Sequence, residues 1–161
     1  MQINWLSDPM VKNPDNSDQN GSFDKNSNSL QQMVWQQDGY QPLIFSHDWQ
    51  VAILNWEPAA NANMISEVER HVQTDEVFIL WRGAAALVTV DMDGLKITEA
   101  VPGVVYNVIM GSWHTVIGTR ESSWIIVENR DTHLSDTEMR LLTKTELQEF
   151  NRQLPTWTLS T

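Results

Sequence analysis

Short runs of apolar residues, many alternating with polar ones, follow one another from about residue 40 to residue 127. They cover 43–45, 49–56, 65–72, 76–81, 84–90, 95–101, 104–110, 113–119 and 124–127. Val, Ile, Trp and Thr are frequent in them, and such side chains suit a pleated, half-buried surface. Turn residues separate the runs: Glu57-Pro58, Arg82-Gly83, Asp93-Gly94, Pro102-Gly103, Gly111-Ser112 and Gly118. Many short strands at this spacing predict an all-β sandwich or barrel. Asp93-Gly94 between two runs predicts a type I′ hairpin, in which both central residues take positive φ.

The two ends of the chain break this pattern. Residues 13–29 read NPDNSDQNGSFDKNSNS, in which 12 of 17 residues are Asn, Asp or Ser. Such a segment buries too little apolar area to offset the entropy of ordering it, so it is expected to be mobile. Ile3, Trp5 and Leu6 precede it and are expected to dock on the domain or on another subunit. At the other end, Thr143-Lys144-Thr145-Glu146 has the form of a capping box. Leu147, Phe150 and Leu154 follow at helical spacing before Pro155, which predicts a helix over 144–153 covering part of the barrel. The expected organisation is an extension at 1–38, a β-barrel at 39–134 and a C-terminal segment with a short helix at 135–161.

Composition narrows the chemistry. The 161 residues include no cysteine, which removes thiol nucleophiles, thiolate zinc sites and iron–sulfur clusters. The formal charge is −11, from 21 acidic and 10 basic side chains. A chain so acidic repels phosphate backbones and anionic lipid, so neither nucleic acid nor a membrane is an expected partner. No apolar run approaches the roughly 20 residues of a membrane span, and no basic-then-apolar leader opens the sequence. A soluble, cytoplasmic domain is expected.

Strong metal donors are then His, Asp and Glu, and Glu69, His71, Glu76 and His114 stand out. Side chains in a strand alternate with period two, so Glu67, Glu69 and His71 share one face. The polar Gln73-Thr74-Asp75 turns the chain, and Glu76 opens the next strand. The two strands are expected to bring Glu69, His71 and Glu76 to one end of one sheet face. His114 joins them if its strand faces the same interior. Two imidazoles with carboxylates suit Zn, Fe, Mn or Ni, and a spare carboxylate can serve as general base. The alternative is a pair of hydrogen-bonded core histidines, with Glu69 paired to Arg70 or Arg82. Glu67 is read as a rim residue, and Phe78 and Trp113 as ligand-pocket lining. Val77, Ile79 and Trp81 alternate with Phe78 and Leu80, so both faces of this strand are expected to be covered.

These residues resemble the two motifs of cupins. The first, G-x5-H-x-H-x3–4-E-x6-G, is matched by Glu69-Arg70-His71, Glu76 and Gly83. The second, G-x5-P-x-G-x2-H-x3-N, is matched by Gly103, Gly111 and His114. The segments RHVQTDEVFILWRG, VYNVIMGSWHTV and ENRDT are also similar to small single-domain bacterial cupins. Departures are Asn63 for the leading Gly, Glu69 for the first His, Ile109 for Pro and Gly118 for Asn. The resemblance implies a double-stranded β-helix, a jelly-roll-like barrel. It further implies one divalent metal on His71, Glu76 and His114 with Glu69 as a fourth donor, and a homodimer. A small hydroxy, keto or carboxylate ligand, such as a sugar derivative, would enter metal-assisted isomerase, lyase or oxygenase chemistry in which Glu69 or Glu76 handles a proton. A non-enzymatic binding or sensor module is the other reading.

Overall fold

The computed structural model describes residues 30–160. The polar segment 13–29 and the Ile3, Trp5 and Leu6 cluster lie outside them. The chain divides into two units, residues 1–34 and 35–161. Of the first, residues 30–34 form neither helix nor strand. The second holds ten strands: β1 Gly39–Phe45, β2 Trp49–Asn55, β3 Glu67–His71, β4 Glu76–Arg82, β5 Ala85–Asp91, β6 Gly94–Glu99, β7 Val105–Val108, β8 Trp113–Gly118, β9 Ser123–Asn129 and β10 Thr137–Leu141. Two short helices follow β9 and β10, α1 Thr132–Ser135 and α2 Lys144–Gln153. The strands form two antiparallel five-stranded sheets, in the orders β1-β2-β9-β4-β7 and β10-β3-β8-β5-β6.

Period-two alternation decides what each sheet buries. From the first sheet Ala52, Phe78, Leu80, Trp124 and Ile126 enter the interior, where Ala85 and Leu87 of the second sheet meet them. The alternate residues of the second sheet, Val68, Ala86, Val88, Val90 and Ile117, form a separate cluster on its outer side. There α2 closes over them with Phe150, Leu147 and Leu154. The helix starts as the sequence predicts: Thr143 Oγ1 accepts from Glu146 N and the Glu146 carboxylate accepts from Thr143 N, a complete capping box. The outer side of the first sheet has no such cover among the described residues. Val77, Ile79, Ile125 and Val127 are half-buried there, and Trp81 and Val105 are each 63% exposed.

Three local expectations are corrected. Asp91 pairs with Gly94, so the β5–β6 hairpin turns on Met92 and Asp93 rather than on Asp93-Gly94. Only Gly94 has positive φ there, so the turn is not type I′ and glycine instead follows the turn. β10 lies in the segment assigned to helix and connecting chain, yet it pairs with β3 along its length as an edge strand. β3 and β4 belong to opposite sheets, so the residues expected on one sheet face confront each other across the interior. Among the described residues no helix is long and apolar enough to cross a membrane.

Candidate metal centre

Two carboxylates, one buried and one exposed, hold the loops that position the site. The Asp136 carboxylate accepts from Val72 N at 3.0 Å and Gln73 N at 2.9 Å, fixing the β3–β4 turn. The exposed Asp75 accepts from Asn107 Nδ2 and Met110 N, both at 2.8 Å, and ties the β7–β8 loop to that same turn. Gly111 N donates to His71 O at 2.7 Å and completes the tie. β8 therefore enters beside β3, with Glu69 and His114 directly paired.

His71, His114 and Glu76 are 4%, 1% and 5% exposed. Glu76 Oε2 lies 3.1 Å from His71 Nε2 and 2.9 Å from His114 Nε2. The other ring nitrogens are engaged by the main chain: His71 Nδ1 is 3.0 Å from Asp136 O, and His114 Nδ1 is 2.9 Å from Ser112 O. A carbonyl only accepts, so both Nδ1 atoms carry hydrogen. In a neutral ring this leaves Nε2 as a bare lone pair, and both lone pairs face one carboxylate oxygen. Metal-binding imidazoles are oriented by this kind of outer hydrogen bond. Without a cation, each ring must hold a second proton to satisfy Glu76.

The protonation energetics follow. Burial opposes the charged form of His71, but the hydrogen bond and charge of Glu76 outweigh it and push the imidazole up to about 9. His114 moves the same way for the same reasons. Burial also opposes charge on Glu76, and the hydrogen bonds and charges of His114 and His71 still hold it below the usual carboxylate range. Glu69 moves upward, through burial first and the Glu76 charge second.

Glu69 has no hydrogen-bond or ion-pair partner among the described residues. Arg70 is turned away from it and pairs with Glu138, Nη2 to Oε2 at 2.7 Å, and Arg82 is exposed at the end of β4. Two overlapping donor sets have their ligand atoms within 4.8 Å of one another: Glu69, His71 and His114, and His71, Glu76 and Glu128. The site opens into a cavity of about 330 Å³ whose walls include Phe78, Leu54, Val116 and Ile126 with these polar groups.

Trp113 is not among the cavity residues. It precedes His114 on β8 and so faces the opposite side, with the guanidinium groups of Arg70 and Arg140 at 4.5 and 4.9 Å from its ring centre. Three cavity residues escaped the sequence reading. Glu128, 4% exposed, accepts through Oε1 from the Tyr40 hydroxyl and, at 2.9 Å, from Gln50 Nε2. His133 Nδ1 accepts from the same amide at 3.0 Å. Burial raises Glu128, more than its two hydrogen bonds lower it. Burial raises the Tyr40 phenol as well, together with the Glu128 hydrogen bond and charge. Trp124, Ile126 and Glu128 alternate inward on β9, so the period-two rule carries the signal for Glu128. Nothing local marks Tyr40 or His133.

No protein-family model and no curated protein matches the chain. Among solved structures, a point variant of Streptomyces PAC13 with uridine superposes with a TM-score of 0.50 at 10% identity, over 70% of this chain and 88% of that one. Pac13 is described as a nucleoside dehydratase with a β-barrel. A cupin-2 domain protein from Shewanella frigidimarina matches with a TM-score of 0.44 at 24% identity, over 60% of this chain and 85% of that one. KdgF from Halomonas sp. matches with a TM-score of 0.46 at 14% identity, over 59% and 82% of the two chains.

Proposed function

We propose that this chain, whose fold is a cupin-superfamily β-barrel, is a metalloprotein that binds one divalent ion and a small polar ligand inside the barrel. His71, His114 and Glu76 would hold the ion, with Glu69 as the fourth donor or as a free carboxylate beside the ligand. One observation carries the reading: main-chain carbonyls take both Nδ1 hydrogens, so both Nε2 atoms converge on one buried carboxylate oxygen. A core histidine pair needs only one satisfied tautomer each, not a shared anion at both rings. The donor set is mixed nitrogen and oxygen, which suits Zn, Fe, Mn or Ni. Bound there, the ion would supply Lewis acidity to a hydroxyl or carbonyl oxygen of the ligand. The chain's own residues do the rest. Phe78, Leu54 and Ile126 exclude water, and Glu69, unpartnered and raised toward neutrality, can take or return a proton.

Elemental analysis of the full chain purified without chelator tests the reading. About one equivalent of a first-row divalent metal per chain is expected. Sub-stoichiometric metal that Zn, Mn, Fe and Ni all fail to restore would sink it. The same reading includes a homodimer, with the uncovered outer side of the first sheet around Trp81 as the paired surface. A monomeric mass by sedimentation at micromolar protein would remove that part alone. A non-enzymatic binding role for the same cavity is the second reading. The absence of lysine and arginine from its walls among the described residues favours it over chemistry on an anionic substrate.

A further inference from the structure

The cavity's charge is one-sided. Five carboxylates face it, from Glu57, Glu67, Glu69, Glu76 and Glu128, against the imidazoles of His71, His114 and His133. No lysine or arginine is among its described lining residues. The ion pairs to Glu76 use His71 and His114. His133 Nδ1 lies 3.0 Å from the Gln50 amide nitrogen, and the ring forms no ion pair among the described residues. Glu57, Glu67, Glu69 and Glu128 then have no ion-pair partner among the described residues. Glu128 is the deepest of these, and only its Oε1 is engaged, by the neutral Tyr40 and Gln50 groups. Its Oε2 has no hydrogen-bond partner among the described residues, and the carboxylate stands within 4.8 Å of the His71 and Glu76 ligand atoms.

A divalent ion bound as proposed above balances Glu76 and one further carboxylate. Three more carboxylates remain on the walls. An anionic ligand would enter against them, with no cationic side chain to meet its own charge. A group that brings positive charge and N–H donors finds both an acceptor and a compensating field. The volume, about 330 Å³, is at the low end for small-molecule sites and suits a compact molecule.

We propose that the cavity selects a small hydroxylated amine, its hydroxyl oxygen toward the His71–His114–Glu76 centre and its ammonium on Glu128, and rejects hydroxy acids and phosphate esters of similar size. The juxtaposition that carries this is Glu128, buried and half-engaged beside the metal centre, in a cavity without a basic side chain. The assignment of the hydroxyl rests on the metal reading, whereas the preference for positive charge does not.

The test uses the full chain loaded with Zn²⁺ and three probes of nearly equal size: serinol (2-amino-1,3-propanediol), glycerol and glycerate. Affinities are compared by thermal shift and calorimetry, with zinc content measured on the same samples. Serinol is expected to bind about tenfold or more tightly than glycerate, with glycerol between them. Glycerate is the best zinc ligand of the three, so this order reports on the walls rather than on the ion. Glu128→Gln is expected to reduce the serinol-to-glycerate ratio by about fivefold at unchanged zinc content. The proposal is overturned if glycerate equals or exceeds serinol, if none of the three binds, or if Glu128→Gln leaves the ratio unchanged. Samples that take up no zinc yet keep the serinol preference would support the charge selection while refuting the metal reading. Zinc-loaded samples that prefer glycerate would do the reverse.

Discussion

His71→Ala is expected to weaken Zn²⁺ binding by about 100-fold or more and to flatten the pH dependence of the metal-free protein's stability. Both effects come from one nitrogen. In the metal-free fold, His71 Nε2 and His114 Nε2 both face Glu76 Oε2. The folded-state value of His71, about 9, lies above the ordinary imidazole value of 6.5. Stabilisation from this imidazolium is therefore fully present below pH 6.5 and is lost as pH rises through 9. Glu76 is held below its ordinary 4.5, so its contribution is present above that value and fades as pH falls through the lower folded value. Chelated wild-type protein should thus be most stable between the two windows and less stable at pH 9 than at pH 6.5. The variant keeps only the His114 share of the alkaline slope. Urea unfolding with chelator at both pH values measures the slope, and zinc titration measures the affinity. Metal acts in the opposite sense, because binding displaces the Nε2 protons and tightens as pH rises. A variant with wild-type alkaline slope and wild-type zinc affinity would show that His71 neither titrates against Glu76 nor ligates.

The strand residues of the site were legible because strands obey a short rule. Period two placed Glu69 with His71, and the motif spacing added Glu76 and His114. The same rule, applied to β8, would have put Trp113 on the side away from His114. Adjacency to His114 in sequence is not adjacency in space there. Applied to β9 it would have drawn Glu128 inward behind Trp124 and Ile126. Other features had no local signal. β10 reads Thr-Glu-Met-Arg-Leu and has little apolar alternation, because an edge strand paired on one side only needs less of it. Tyr40 and His133 reach the cavity from β1 and from the short helix α1 after β9, and their meeting at Gln50 is set by tertiary packing. The confrontation of β3 and β4 across the barrel, rather than along one sheet, is likewise a matter of topology that a turn such as Gln73-Thr74-Asp75 does not encode.

The glycines of the two motifs make different contributions, and Gly83→Ala is expected to be the costlier change by a wide margin. Gly83, between β4 and β5, has φ +78, and an added Cβ would stand 2.6 Å from both Ser122 N and Ser122 Cα. Those are main-chain atoms at the start of β9, the strand hydrogen-bonded to β4, and they cannot swing aside as a side-chain tip can. Gly103 has a similar φ of +82, yet nothing lies within 4 Å of its added Cβ. Alanine at Gly103 therefore meets only the left-handed backbone cost, about 1–2 kcal/mol. Alanine at Gly83 meets that cost and an overpacking cost of about 1–3 kcal/mol more. For a chain of this size the Gly83 change should lower Tm by about 10 °C, and the Gly103 change by roughly a third to a half of that. Thermal unfolding of the two metal-free variants at pH 6.5 gives the comparison. Equal shifts would mean that the β4–β5 corner opens to admit a methyl group. Because that corner sets where β9 begins, the same movement would displace Glu128 and should appear as altered metal affinity in Gly83→Ala but not in Gly103→Ala.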